Sequence, residues 1–131
     1  MAAGPKLDGA GLVKMKVLDD AMLLLQRVNG LVENYAMAVK RETPSSAFLM
    51  NIRRTLPSLA ENLKSQFGLI ADQILAVNLA SSRGASEAMR VRTLREGVAQ
   101  IKQSIEIAIT QTKDKHAVAD DSAEKSKGGG P

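Results

Sequence analysis

The chain has 131 residues, 44% of them hydrophobic, with a formal charge of +4 and no cysteine. One domain with its own core fits this length, and the missing cysteines exclude disulfides, thiolate catalysis and cysteine-based zinc sites. Bases and acids alternate along the chain, so the net charge favours acidic partners only weakly. With two Phe, one Tyr and no Trp, the core must be aliphatic, which favours packed helices over a β-sandwich.

The N-terminal segment is rich in Gly and contains Pro5, so residues 1–10 are expected to form a flexible arm. Asp8 is a candidate N-cap for the helix that follows. No basic segment followed directly by an apolar run marks a secretory signal. The most apolar stretch, LVKMKVLDDAMLLLQRV, contains five charges, which argues against a transmembrane helix and favours a location in the nucleus or cytoplasm.

The first predicted helix runs from about Leu12 to Arg41, because apolar residues recur there at steps of three and four. A second apolar face exceeds what two partner helices within the chain easily cover, which predicts oligomerisation or a helical partner. This second face comprises Met15, Met22, Leu23, Leu24 and Leu31.

The second predicted helix begins with Thr43 as N-cap and Pro44 at the first helical position, and it reaches Ala80. Pro57 inside this run removes a backbone donor, so we expect either one kinked helix or a break into segments 44–54 and 57–80. The apolar positions also shift register around Leu63, where two consecutive steps of four occur.

The third predicted helix is capped by Ser86 and extends to near His116, with Gly97 weakening it by about 1 kcal/mol relative to alanine. Residues 119–131 have no apolar periodicity and are expected to be a disordered tail. Residues 11–118 would then form an all-α domain, either an antiparallel bundle or a coiled-coil hairpin of three long helices, or four if Pro57 breaks the second. The predicted core or partner interface consists of Leu25, Val28, Val32, Leu63, Phe67, Ile70, Leu94, Val98 and Ile101.

Candidate catalytic or ligand-binding chemistry is sparse. The single histidine, His116, is expected to be solvated at a helix C-terminus, since no second histidine or cysteine could complete a metal site with it. The glycine clusters lack the flanking strand, helix and Lys-Ser pair of a phosphate loop. We therefore predict a protein that is not an enzyme and that carries no metal or other cofactor.

An alternative function follows from the arginines of the second and third predicted helices. Clustered arginines can neutralise phosphates, although no aromatic residue is interleaved for base stacking. The candidate nucleic-acid contacts are Arg53, Arg54, Arg90, Arg92 and Arg95.

Two segments, LLLQRVNGLVENYAMAVKR and SAFLMNIRRTLPSLAENLKSQFGLIADQ, resemble the helix pair of the small Mediator head subunit of the subunit 22 family. The resemblance covers about half the chain, and Pro57 and the short first turn depart from it. It implies a nuclear scaffold subunit paired with another helical subunit. Residue patterning leads to the broader expectation of a non-enzymatic interaction subunit that assembles through apolar helix faces, with a small basic nucleic-acid-binding module as the alternative.

Overall fold

The computed structural model describes residues 6–83 and 86–118. These residues form four α-helices and two very short strands, so the predicted all-α class is confirmed. The predicted tail, residues 119–131, and the first half of the predicted arm, residues 1–5, lie outside the described residues. In chain order the elements are β1 (Lys6–Leu7), α1 (Gly9–Lys40), α2 (Ser46–Leu63), α3 (Gly68–Ser82), α4 (Glu87–Lys115) and β2 (Ala117–Val118).

The four helices form an up-down-up-down bundle. The main packing pairs are α1 with α2, α2 with α3, α3 with α4 and α4 with α1, so α2 and α4 occupy diagonal corners. Short connections force consecutive helices to be antiparallel neighbours. The aliphatic interior is centred on fully buried side chains from all four helices: Leu18, Leu25, Val28, Val32, Tyr35, Ile52, Leu56, Leu59, Leu63, Ile74, Leu94, Ile101 and Ile105.

Residues 6–10 are ordered, in contrast to the expected flexible arm. Lys6 pairs with Val118 and Leu7 with Ala117 in an antiparallel register, and Gly9 already begins α1. Asp8 is the N-cap, as predicted, and accepts a 2.7 Å hydrogen bond from the backbone N–H of Gly11. The two-strand pairing therefore ties the start of α1 to the end of α4.

The turn between α1 and α2 differs from its prediction, because Thr43 closes α1 instead of capping α2. Its backbone N–H donates to the Ala38 carbonyl at 2.9 Å and its hydroxyl donates to the same oxygen at 3.3 Å. Glu42 has a φ of 57°, the left-handed conformation that commonly ends a helix in this way. The N-cap position of α2 is Ser45.

Of the two alternatives at Pro57, the break does not occur: α2 continues through Pro57 and ends at Leu63. Pro57 lies on the exposed side of α2, where a helical carbonyl that lacks its donor is open to solvation. The chain instead reverses at residues 64–67, where the apolar register shifts, and Gly68 opens α3. There the Phe67 N–H donates to the Leu63 carbonyl at 2.7 Å.

The long helix α4 begins and ends close to its predicted limits. Ser86 is its N-cap and its hydroxyl accepts from the Met89 N–H at 3.1 Å. Gly97 is a packing site rather than only a weak point, because a Cβ there would lie 2.5 Å from Cγ1 of Val77. The glycine thus allows α3 and α4 to approach closely.

The helices have unequal lengths, and this sets the shape of one end. α1 has 32 residues against 18 in α2, and α4 has 29 against 15 in α3, so each long helix exceeds its neighbour by 14 residues. At about 1.5 Å per residue the excess is about 20 Å. The α1–α2 and α3–α4 connections lie at the same end of the bundle, so the excess projects at the other end. We call this α1–α4 projection the overhang.

Candidate functional site

The outer face of α3 is largely apolar and lacks a partner helix within the described chain. We define this α3 outer face as Leu75, Ala76, Leu79 and Ala80, which are all exposed. Leu75 and Leu79 are separated by one helical turn and are 46% and 51% exposed. The only charged side chain in α3 is Asp72. It is exposed and precedes Leu75 and Ala76 by three and four residues, so it borders the same face.

The opposite face of α3 is buried in the core through Ile70, Ala71 and Ile74. A helix that is apolar on both sides is usually covered on both sides. Here the bundle covers only the inner side, so the outer face is the unpartnered helix surface that the fold leaves open.

A groove of about 440 Å³ lies where the overhang meets the start of α3. Its apolar lining includes Phe67, Leu69 and Ile107. Leu69 is 86% exposed and Ile107 is 50% exposed. Lys14 and Lys115 contribute positive charge to the lining, which contains no carboxylate.

His116 forms a clasp between the two ends of the described chain, which corrects the expectation that it is solvated. Its side chain is only 14% exposed. Nδ1 lies 3.1 Å from Oδ1 of Asp8, and Nε2 lies 3.2 Å from Nζ of Lys14. A neutral ring with its proton on Nδ1 satisfies both contacts, because Nε2 then accepts from the lysine.

The residues around the clasp explain the lowered pKa of Asp8 and the close approach of His116 to α1. The Gly11 N–H hydrogen bond is the main cause that holds the pKa of Asp8 below its ordinary value, and the hydrogen bond from His116 acts in the same direction. A Cβ on Gly11 would lie 2.5 Å from Cβ of His116 and 3.2 Å from Cβ of Leu7. Glycine is therefore needed for this close approach.

A polar network joins the helices at the opposite end of the bundle. The buried Tyr35 donates its hydroxyl proton to Oε2 of Glu87 at 3.2 Å, and the Ser45 hydroxyl donates to the same oxygen at 3.0 Å. Arg90 donates to the Tyr35 hydroxyl at 3.4 Å and to the Ser81 carbonyl at 2.9 Å. Arg90, proposed from the sequence as a nucleic-acid contact, is thus part of the internal architecture.

Arg95 is also engaged within the chain. It makes a two-point ion pair with Glu33, with N–O distances of 2.8 and 3.0 Å. The hydrogen bond and charge of Arg95 lower the pKa of Glu33. Both side chains are about half exposed, so solvent screens the pair.

The remaining candidate arginines do not lie on one surface. Arg92 is exposed on α4, with Nε 3.8 Å from a carboxylate oxygen of Glu96. Arg54 is exposed on α2, whereas Nε of Arg53 is buried without a hydrogen-bond partner. Because α2 and α4 are diagonal in the bundle, the arginine set is divided between two corners.

The structure places the nine predicted core or interface residues inside this chain's own bundle, where all are buried except the half-buried Phe67. The second apolar face of α1 is smaller than the sequence suggested. Leu23 is 65% exposed, whereas Met15, Met22, Leu24 and Leu31 pack partly against the core.

The exposed leucines of α3 were missed by the sequence reasoning, which followed only one apolar stripe through this segment. The available signal was the single charge in the 15 residues of α3. A surface helix of that length normally carries a charged outer face.

The chain matches no protein-family model, no curated protein and no solved structure. Among the residues described, no three His, Cys, Asp or Glu side chains are grouped closely enough to hold a metal ion. None of the helices in residues 6–83 and 86–118 is both long and apolar enough to cross a bilayer.

Proposed function

We propose that this protein is a non-enzymatic helical interaction subunit that assembles, through the α3 outer face, with a partner helix or with a second copy of itself. The observation that carries the proposal is the exposure of Leu75 and Leu79 on a helix whose other side is already buried. A partner helix packed across α3 would remove both leucines from water.

The expected gain from such packing is substantial. A large aliphatic side chain contributes about 1.5–3 kcal/mol when fully buried. Leu75 and Leu79 are about half exposed, so each has roughly half of that gain still available to a partner. The small side chains of Ala76 and Ala80 beside them permit close approach of another helix backbone.

Site-specific photo-crosslinking tests this function. Benzoylphenylalanine is placed at Leu79 and, as a matched control, at Arg27, which is exposed on α1. In extracts of the source cells and with purified protein, we expect a discrete crosslinked product from position 79 and none from position 27. Equal yields at the two positions, or no product at either, would refute the proposal.

Light scattering measures the self-assembly arm of the same proposal. A mass above the monomer's 14.0 kDa that rises with protein concentration would identify a second copy as the partner. The double variant Leu75→Glu/Leu79→Glu should then return the mass to that of the monomer. Retention of the oligomer in this variant would place the contact elsewhere and contradict the α3 assignment.

Nucleic-acid binding is the alternative, and the exposed Arg54 and Arg92 are its best remaining contacts. The geometry gives it less support because Arg90 and Arg95 are already engaged with this chain. This alternative would be favoured if adding nucleic acid increased the mass in solution, and if the increase was lost both at high salt and in the variant Arg54→Ala/Arg92→Ala. Indifference to nucleic acid would exclude it.

The resemblance to the Mediator subunit 22 family supports a narrower proposal within the main one. It would make the partner another helical subunit of a nuclear scaffold. Pull-down followed by crosslinking at Leu79 tests this, because the crosslinked protein would then be a subunit of that scaffold.

A further inference from the structure

We propose that the groove beneath the overhang is a second docking site, which receives an acidic, leucine-bearing α-helix of a partner protein. This inference rests on the proposed function, since it gives the chemistry of a helical partner. It uses a different surface from the α3 outer face, so the two can fail independently.

The overhang supplies the space for such a helix. α1 is 14 residues longer than α2, and α4 is 14 residues longer than α3. The connection at residues 64–67 lies at the end of the bundle where this excess projects. A partner helix of about 14 residues, or about 20 Å, would continue the bundle's cross-section there.

The apolar lining supplies the contact surface. Ile107 projects from α4, and Leu69 and Phe67 border the groove at the start of α3. Leu69 is the most exposed large apolar side chain among the residues described, at 86%. Leucines repeated at steps of three and four on a partner helix would fit such a surface.

The charges of the groove select an acidic occupant. Lys14 and Lys115 line it, and the nearby carboxylate of Asp8 is already bound to His116. α3 also begins here without a side-chain cap, so the positive end of its dipole faces the same region. No carboxylate of the lining opposes these charges.

A second copy of the chain is a poorer occupant of this groove. Docking of two grooves face to face would set one lining that carries two lysines and no carboxylate against an identical lining. Like charges brought together in an interface oppose association. An acidic helix instead pairs its carboxylates with these lysines while its leucines cover Leu69 and Ile107.

Fluorescence anisotropy with designed probes tests the inference. The acidic probe is a rhodamine-labelled helical peptide of about 14 residues, with leucines at steps of three and four and glutamates elsewhere. The control probe has every glutamate replaced by lysine. We expect the acidic probe to bind at least about tenfold more tightly, with an affinity that falls as salt is raised.

Variants of exposed residues locate the binding. Ile107→Glu and Lys115→Glu should each weaken binding of the acidic probe by about tenfold, whereas Leu23→Glu, at an exposed position on α1 outside the groove lining, should leave it unchanged. Circular dichroism of each variant checks that the fold is retained, and agreement between the two groove variants guards against a local folding defect in either.

Four results would overturn the inference. One is the absence of acidic-probe binding, and another is equal binding of the lysine probe. The third is loss of binding in Leu75→Glu/Leu79→Glu but not in Ile107→Glu, which would move the contact to the α3 outer face and leave the proposed function intact. Conversion of a dimer to a monomer by Ile107→Glu would also overturn it, because a second copy would then occupy the groove.

Discussion

The same substitution at two glycines gives opposite predictions. A Cβ at Gly97 would lie 2.5 and 2.7 Å from the two Cγ atoms of Val77 and 3.2 Å from its Cβ. Valine is stiff and cannot swing away, so overpacking should cost about 1–3 kcal/mol. A Cβ at Gly30, which is exposed in α1, would meet nothing within 4 Å.

Each Gly→Ala change also gains about 1 kcal/mol of helix propensity. Gly30→Ala should therefore be stabilised by about 1 kcal/mol, while Gly97→Ala should lose up to about 2 kcal/mol net. The gain in helix propensity is the same in both variants. The difference between their free energies of unfolding therefore measures the packing cost of the close approach of α3 and α4. Urea unfolding followed by far-ultraviolet circular dichroism supplies both values, provided the m-values agree.

A double-mutant cycle sharpens the measurement. Val77→Ala should cost less in the Gly97→Ala background than alone, since it removes the atoms that the new methyl group contacts. If Gly97→Ala instead stabilised the protein as much as Gly30→Ala, the close approach of α3 and α4 would be refuted.

Three further predictions concern single positions. Pro57→Ala should raise the free energy of unfolding by about 1–3 kcal/mol, because α2 is continuous and exposed at this position. A lower urea midpoint in the variant would mean that the proline is required for the path of the helix. Arg90→Ala should lower the free energy of unfolding by about 1–3 kcal/mol, because the buried Tyr35 hydroxyl and the Ser81 carbonyl lose the donor Arg90. Arg95→Ala should lower it by no more than about 1 kcal/mol in the same urea assay. Equal losses of stability would contradict the different roles assigned to these arginines. The pKa of Asp8 is lowered in the folded state, so the stability contributed by its carboxylate is present above the unfolded-state pKa and is lost as pH falls through the folded-state value. Asp8→Asn should therefore show a smaller fall in urea midpoint between pH 7 and acidic pH than the wild type. Identical pH profiles of the two proteins would argue against the clasp.

Periodicity identified the helices and their inward stripes, because positions such as Val28, Leu63 and Val98 repeat at helical spacing whatever their tertiary partners. The cap at Ser86 followed from local chemistry alone. The effect of Pro57 stayed open at the level of sequence, because it depends on whether the freed carbonyl is exposed, and exposure is a tertiary property. The glycine at position 97 looked unfavourable locally, since its value lies in a contact with a residue on another helix.

The surfaces were harder to predict than the fold. Burial of Met22 and Leu24 depends on how neighbouring helices are arranged, so the apolar excess of α1 was overestimated. The α3 outer face and the groove depend on helix lengths and on the reversal at residues 64–67, which no single helical pattern specifies. His116 likewise found Asp8 and Lys14 only because β1 and β2 bring distant segments together.

The pairing of α1 with α4 also has a consequence for how fast the chain folds. The two longest helices are first and last in sequence, so their seam joins the most distant parts of the chain, and closing that loop costs entropy before the contact is made. Since Lys6 and Val118 are already paired neighbours, a circular permutant that links these ends and opens the chain between α2 and α3 would make the α1–α4 contact local. The α2–α3 contact becomes the long-range one instead, but it joins the two shorter helices. Contact order therefore falls modestly, which should speed folding while the native packing stays the same.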